Sequence, residues 1–246
     1  MAWTTLGESV AGTAHIARGL PCQDAVRFAR LDPAGEWLAV AVADGAGSAS
    51  HADRGAALTC DGLLAGLAEL DTLRRTDRES VTELFSRVRA EVIAEAERLG
   101  VRPRELACTA ILAVAGPTTT LVAQLGDGAI VLGDAGGLRT AFWPEPGEYA
   151  NLTDFLTDER FADVLQVDVA GPVDDLAVLT DGLQRLALDF SARVPHGPYF
   201  RPLFNELRAA TDPEALVEPF RKFLDAPRVN ARTDDDKSLV LAVRRP

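Results

Sequence analysis

The sequence predicts an α+β sandwich of mainly antiparallel sheets covered by helices. Its strand-like runs are short and rich in Val, Leu and Ala, and several are separated by turn signals such as Gly116-Pro117. The helical segments do not follow each strand in turn. The order is strands, two long helices, a hairpin-like block, an irregular stretch, a strand, further helices and a last strand, which is not the regular alternation of a parallel sheet.

Taken along the chain, the apolar runs 38–43, 107–115, 119–125, 129–132, 176–179 and 238–243 predict strands. Between the first two of these, 51–70 predicts one helix and 79–99 a second. In the second, Val81, Leu84, Phe85, Val88, Val92, Ala96 and Leu99 recur at spacings of three and four and so share one face. Thr76-Asp77-Arg78-Glu79 before it has capping-box spacing. A later helix starts at Asp212-Pro213, with Asp as N-cap and Pro at the first helical position, and runs toward Leu224; Pro219 is expected to kink it or end it early. The stretch 138–171 is polar and aromatic, carries Pro144 and Pro146, and reads as a surface excursion with one short helix around 153–165. No repeat of solenoid length and no low-complexity linker divides the chain, so 1–246 reads as a single domain.

The 246 residues are 47% hydrophobic and 25% charged, enough to bury a sizeable core. No apolar run approaches the roughly 18 residues of a membrane helix. The opening MAWTTLGESVAG lacks the basic-then-apolar order of a signal peptide. Cys22, Cys60 and Cys108 cannot all pair and none sits in a CxxC, which reads as reduced thiols in a cytoplasmic protein. A net charge of −12 argues against nucleic acid as a ligand. It leaves open phosphate chemistry mediated by bound cations.

The functional signal lies where strands end. Asp44-Gly45, Asp127-Gly128 and Asp181-Gly182 each follow an apolar run. One Asp-Gly is a turn, because Asp bonds its own backbone and Gly tolerates positive φ. Three of them, with Gln23-Asp24 early and Asp234-Asp235-Asp236 before the last strand, need a further reason. Folding brings such ends together, and clustered carboxylates repel. A hard divalent cation offsets that repulsion with oxygen ligands, and the absence of His or Cys among the candidates disfavours zinc.

In this order the residues Gln23-Asp24, Ala43-Asp44-Gly45, Gly126-Asp127-Gly128, Thr180-Asp181-Gly182 and Asp235-Asp236-Lys237-Ser238 resemble the bacterial branch of the protein phosphatase 2C family. Gly12-Thr13-Ala14-His15 and Gly19-Leu20-Pro21-Cys22 match its opening segment, and the resemblance spans about 7–243. It implies a four-layer αββα sandwich and hydrolysis of phosphoserine or phosphothreonine in proteins by a metal-activated water. It also implies two Mn²⁺ or Mg²⁺ ions, with a third, weaker one matching Asp127 and Asp181. Carried over by position, Asp44 bridges the ions, Asp181 and Asp235 join it on the first, and the Gly45 carbonyl holds the second. Asp24 binds a metal or its waters. The catalytic set is then Asp24, Asp44, Asp181 and Asp235. The partners implied are a phosphorylated protein substrate and a cognate serine/threonine kinase, with no membrane or nucleic acid, the chain acting as a monomer.

This chain departs from the family at three points. Gln23 stands where many relatives carry Glu, Asp127-Gly128-Ala129 stands where many carry Asp-Ser-Arg after Gly126, and the usual arginine position is Gly19, with Arg18 one residue away. Arg18 is either the displaced phosphate ligand or a solvated surface residue. His15 is either a proton donor near substrate or a turn residue satisfying backbone groups. His51 and His196 read as surface residues and Cys22 as a small packed one. The stretch 138–171 falls where the family carries a flap over the site, so 142–151 either contacts substrate or packs its aromatics on the sheet. An active phosphatase and a weak or inactive phosphatase-like binding module both remain open. The complete set of carboxylates favours the first; Gln23 and the displaced arginine are what the second would show.

Overall fold

The computed structural model describes residues 1–69, 77–144 and 153–245. Ten strands form two five-stranded sheets in which every neighbouring pair is antiparallel. One sheet runs β1 (Ala2–Val10), β12 (Lys237–Arg245), β9 (Asp175–Leu179), β6 (Ala129–Asp134), β7 (Gly137–Thr140). The other runs β2 (Ala25–Arg30), β3 (Leu38–Ala43), β4 (Ala110–Ala115), β5 (Thr120–Leu125), β8 (Gln166–Ala170). A two-residue ribbon pairs β10 (Leu188–Asp189) with β11 (Val194–Pro195).

Period-two alternation divides the side chains into layers. In β3, Leu38, Val40 and Val42 enter the core between the sheets, where they meet Ile130, Leu132, Val178 and Val240. The alternate Ala39, Ala41 and Ala43 face outward, and their small side chains bring α2 (Ala52–Glu69) and α3 (Arg78–Leu99) close to the sheet. On the opposite outer face Val131, Leu179, Leu239 and Leu241 pack against Phe200, Phe204 and Leu207 of α6 (Gly197–Ala209) and Phe220 and Leu224 of α7 (Val217–Leu224). The result is four layers, helix–sheet–sheet–helix, as the family resemblance implies.

The predicted stripe of α3 is buried from Val81 to Ala96, and Leu99 packs against the same core. Its N-cap is Asp77, which accepts from the Ser80 N–H; Thr76 of the expected capping box lies outside the described residues. Pro219 does not end α7. It sits in the first helical turn, where no intrahelical partner awaits its nitrogen. Asp212 accepts from the Glu214 N–H, and a 3₁₀ turn at Glu214–Leu216 precedes the helix.

The expectation for 138–171 needs correction. Residues 137–140 are β7, and 166–170 form the edge strand β8 on β5. Leu156, Phe161 and Leu165 are buried against α2 and α3, and the expected helix shrinks to α4 (Phe161–Val164). Phe142 packs against the inter-sheet core and Trp143 meets Phe190 edge-on at 5.6 Å. The remainder of the expected flap, 145–152, lies outside the described residues. Among the described residues no helix is long and apolar enough to cross a membrane.

Candidate active site

Sheet register gathers the acids. Ala25 pairs with Ala43, which sets Asp24 beside Asp44. Leu179 pairs with both Leu239 and Ala129, which places the Thr180-Asp181 turn next to Ser238 on one side and Gly128 on the other. Gly126, at φ +95°, turns the chain out of β5 and delivers Asp127 to the same end. These ends surround a pocket of about 320 Å³ whose walls include Asp44, Gly45, Asp127, Asp181 and Asp235, with His15 and Arg18 on another side. Asp24 is absent from the wall. It lies buried beneath it, accepting from the Thr180 hydroxyl at 2.8 Å, with its other oxygen unpartnered among the described residues.

Two glycines work by close approach here. A Cβ on Gly45 would press on the Gln23 carbonyl and Ala52, and one on Gly182 would collide with the Asp236 carbonyl. Both therefore allow the strand ends to meet. The Asp44 N–H donates to the Thr109 hydroxyl at 2.8 Å, and Thr109 returns a backbone bond to the Asp44 carbonyl. Thr153 donates to Asp127 at 2.9 Å, and Gln184 donates to the Asp127 carbonyl.

The residue that sequence reasoning passed over is Asp236. Its buried carboxylate accepts from the Gly12 N–H (2.6 Å), the Gln23 N–H (2.6 Å) and His15 Nδ1 (2.7 Å). One side chain thus ties the entry to α1 (Thr13–Ala17), the Gln23-Asp24 segment and the start of β12 together. A signal was present in the sequence. In an acidic run entering a strand, neighbouring side chains point oppositely, and here Asp235 is exposed at the pocket while Asp236 is buried. His15 is accordingly fixed in orientation by Asp236 while still lining the pocket. Arg18 is exposed at the rim, its Nε donating to the Ala14 carbonyl. His196 is exposed and His51 half-buried, and neither lines this pocket. Burial pushes the Cys22 thiol up, aided by Asp24 and Asp236, so it is protonated at neutral pH and a poor nucleophile.

Electrostatics make the cluster unfavourable as it stands. Burial, then the neighbouring Asp236 and Asp181, raise the Asp24 carboxyl to about 7 against the hydroxyls that bond it. Burial and then Asp127 raise Asp181 to about 6. Asp44 is pushed well above the usual carboxylate range by burial, then by Asp24 and Asp181. Oxygens of Asp24, Asp181 and Gln23 are buried without a hydrogen-bond partner among the described residues. Unpaired buried oxygens beside repelling carboxylates suit a hard divalent cation. Among the described residues no three acidic, His or Cys side chains already close on one ion.

A sequence profile of the protein phosphatase 2C family matches residues 11–224. The chain belongs to this family. It is 40% identical over 250 residues to "Serine/threonine-protein phosphatase 3" of Escherichia coli (strain K12), covering 99% of both chains. The serine/threonine phosphatase Stp1 from Staphylococcus aureus shares the fold, with a TM-score of 0.69 at 12% identity over 100% of this chain and 96% of that one. So does PppA of Pseudomonas aeruginosa, described as a key regulatory component of T6SS, at TM-score 0.63 and 18% identity over 99% and 98%. The protein is therefore an enzyme, a serine/threonine protein phosphatase of a metal-dependent family acting on phosphoproteins. The binding-module alternative, raised by Gln23 and the displaced arginine, gives way.

Proposed function

We propose that the pocket at the strand ends is the hydrolytic centre, and that Asp44, Asp181 and Asp235, with the Gly45 carbonyl, hold Mn²⁺ or Mg²⁺ there. Asp127 with Asp181 forms a third, weaker position, and Asp24 supports the ions or their waters from beneath. The convergence of acids from separate strand ends on one pocket, with buried oxygens left unpaired, carries this reading. When bound, the ions supply charge neutralisation for the phosphoryl oxygens and an activated water for in-line attack.

The chain's own residues supply positioning. Arg18, held through Nε, offers its remaining guanidinium donors to a phosphate oxygen at the rim. His15, anchored through Nδ1, has one ring nitrogen left to move a proton at the departing serine or threonine oxygen. The Thr153–Asp127 bond ties the pocket to the middle of the 138–171 stretch, and Phe155 in the same wall offers an apolar contact for the substrate's polypeptide. The whole of 1–246 acts as one cytoplasmic, monomeric unit opposing a serine/threonine kinase.

The test is turnover of a phosphothreonine peptide with Mn²⁺, with Mg²⁺ and with EDTA, in wild type and Asp44→Asn. Turnover is expected to require the cation and to fall about 10²-fold or more in Asp44→Asn. Cation-independent turnover, or a variant equal to wild type, overturns the assignment.

A further inference from the structure

A second cavity, of about 560 Å³, opens on the outer helical layer, between α6, α7, α5 (Gln184–Ala187) and α8 (Pro227–Asn230). Its character is opposite to that of the acidic pocket. Arg185, Arg228 and Arg232 line it and no carboxylate does. Among the described residues none of the three arginines is in an ion pair. In a chain with 37 acidic and 25 basic residues, three unneutralised arginines around one concavity are not the background. The floor is aromatic and apolar. Arg228 lies over the Phe223 ring at 5.4 Å, Phe223 is 6.0 Å from the Tyr199 ring, and Leu203 completes it. The Tyr199 hydroxyl is buried with no hydrogen-bond partner among the described residues, and burial pushes its acidity down, so it remains a donor. A buried unmatched donor is unfavourable, and a bound acceptor would satisfy it. Leu203 and Phe223 also border a smaller apolar cavity of about 140 Å³, so the apolar surface continues past the arginines.

We propose that this cavity binds a soluble organic anion, with a phosphate-like head held by Arg185, Arg228, Arg232 and the Tyr199 hydroxyl and a flat apolar body against Phe223 and Leu203. Cavities of this size bury small-molecule ligands, and an oxyanion with an apolar body matches both halves of the lining. The site also reaches the catalytic end through the chain. Arg185 follows Asp181 by four residues on the α5 segment, and Arg232 precedes Asp235 by three. Asn230 of α8 accepts from the Lys237 ammonium, next to Asp236. A head group spanning Arg185 and Arg232 braces the two segments that present Asp181 and Asp235, so its occupancy modulates turnover. Binding itself is independent of how the acidic pocket works, so the two readings fail separately.

The probe is phenylphosphonate, which joins a ring to a phosphate-like head through a P–C bond that phosphoester hydrolysis does not cleave. Calorimetric titration of the full-length protein with Mg²⁺ present is expected to give a one-site dissociation constant at or below about 1 mM. Binding should weaken at least tenfold in Arg228→Ala/Arg232→Ala, both positions being exposed, and severalfold in Tyr199→Phe, while Asp44→Asn retains it. Binding that survives the arginine substitutions, or that disappears in Asp44→Asn, overturns the site. Capture by phosphatidylglycerol vesicles without phenylphosphonate binding overturns the soluble-ligand assignment in favour of a lipid headgroup. At subsaturating Mg²⁺ the probe should change phosphopeptide turnover at least twofold more in wild type than in the arginine variant; equal responses overturn the regulatory part.

Discussion

Removing divalent cation should make the protein's stability fall as pH rises, and restoring it should offset a large part of that fall. Asp24 titrates near 7 and Asp181 near 6 in the folded, cation-free chain, whereas an unfolded aspartate titrates near 3.9. Between about pH 4 and pH 7 the folded state therefore holds protons that the unfolded state has released, and stability declines with pH across that window. For Asp24 alone, moving from 3.9 to about 7 corresponds to about 4 kcal/mol of lost stability above neutrality. At roughly 2–4 °C per kcal/mol for a chain of this length, the melting temperature in EDTA should drop about 8–16 °C between pH 4 and pH 8. A cation at a hundred times its dissociation constant returns about 2.7 kcal/mol, or roughly 5–10 °C, at pH 8. At pH 5 Asp24 and Asp181 are largely protonated, and most of that gain should vanish. Thermal melts followed by circular dichroism, in EDTA and in 10 mM Mg²⁺ or Mn²⁺, measure both slopes. Asp44→Asn, which replaces a carboxyl that burial and then Asp24 and Asp181 push well above the usual range, should lose most of the cation response. A cation gain equal at pH 5 and pH 8, or undiminished in Asp44→Asn, would refute the reasoning.

Three further outcomes follow from the same contacts. Asp236→Ala removes a buried acceptor from three donors and should cost about 3–5 kcal/mol, read as a fall in denaturation midpoint. Gly182→Ala forces the Asp181 turn away from the Asp236 carbonyl; a displacement of even an ångström should lower kcat roughly 10²-fold while the fold, monitored by circular dichroism, persists. Gln23→Glu places a charge where a buried, unpartnered amide oxygen now sits, and should lower the half-saturating Mn²⁺ concentration severalfold in the turnover assay while lowering the melting temperature in EDTA.

The sequence exposed those parts of the fold whose local pattern and tertiary role agree. β3, β4, β5, β6, β9 and β12 are buried on both faces and read as continuous apolar runs. The first strand was not legible: AWTTLGESV is a mixed polar run whose placement is set by its nine-residue pairing with β12, not by propensity. β2 is an edge strand, and the exposed Arg27, Phe28 and Arg30 blur its alternation. β8 was lost inside an apparent surface excursion for the same reason. At the site, the aspartates were visible because each follows an apolar run. Asp236 and Thr109 were not, because their partners lie far away in sequence: Gly12, His15 and Gln23 for the first, Asp44 for the second. The basic cavity was equally hidden, since its arginines come from two segments more than forty residues apart in sequence, around α5 and α8, and meet only when the α5–α8 layer folds.

The strand ladders also explain why the acidic cluster cannot relieve itself. Asp24 follows the fate of Ala25, locked opposite Ala43, and Asp181 follows Leu179, locked between Leu239 and Ala129. A carboxylate on a loop would swing into water; these cannot move apart without breaking sheet pairs above a core that is apolar on both sides of each sheet. Two routes to relief remain, protonation and cation binding, and they compete for the same oxygens. Proton and metal affinity are therefore coupled through sheet register rather than through flexible loops. Lengthening the turn between Ala43 and Asp44 by one glycine should weaken both together, raising the half-saturating cation concentration and flattening the pH dependence of melting in EDTA. A variant that lost cation affinity yet kept the full pH slope would show that the two responses arise from different groups.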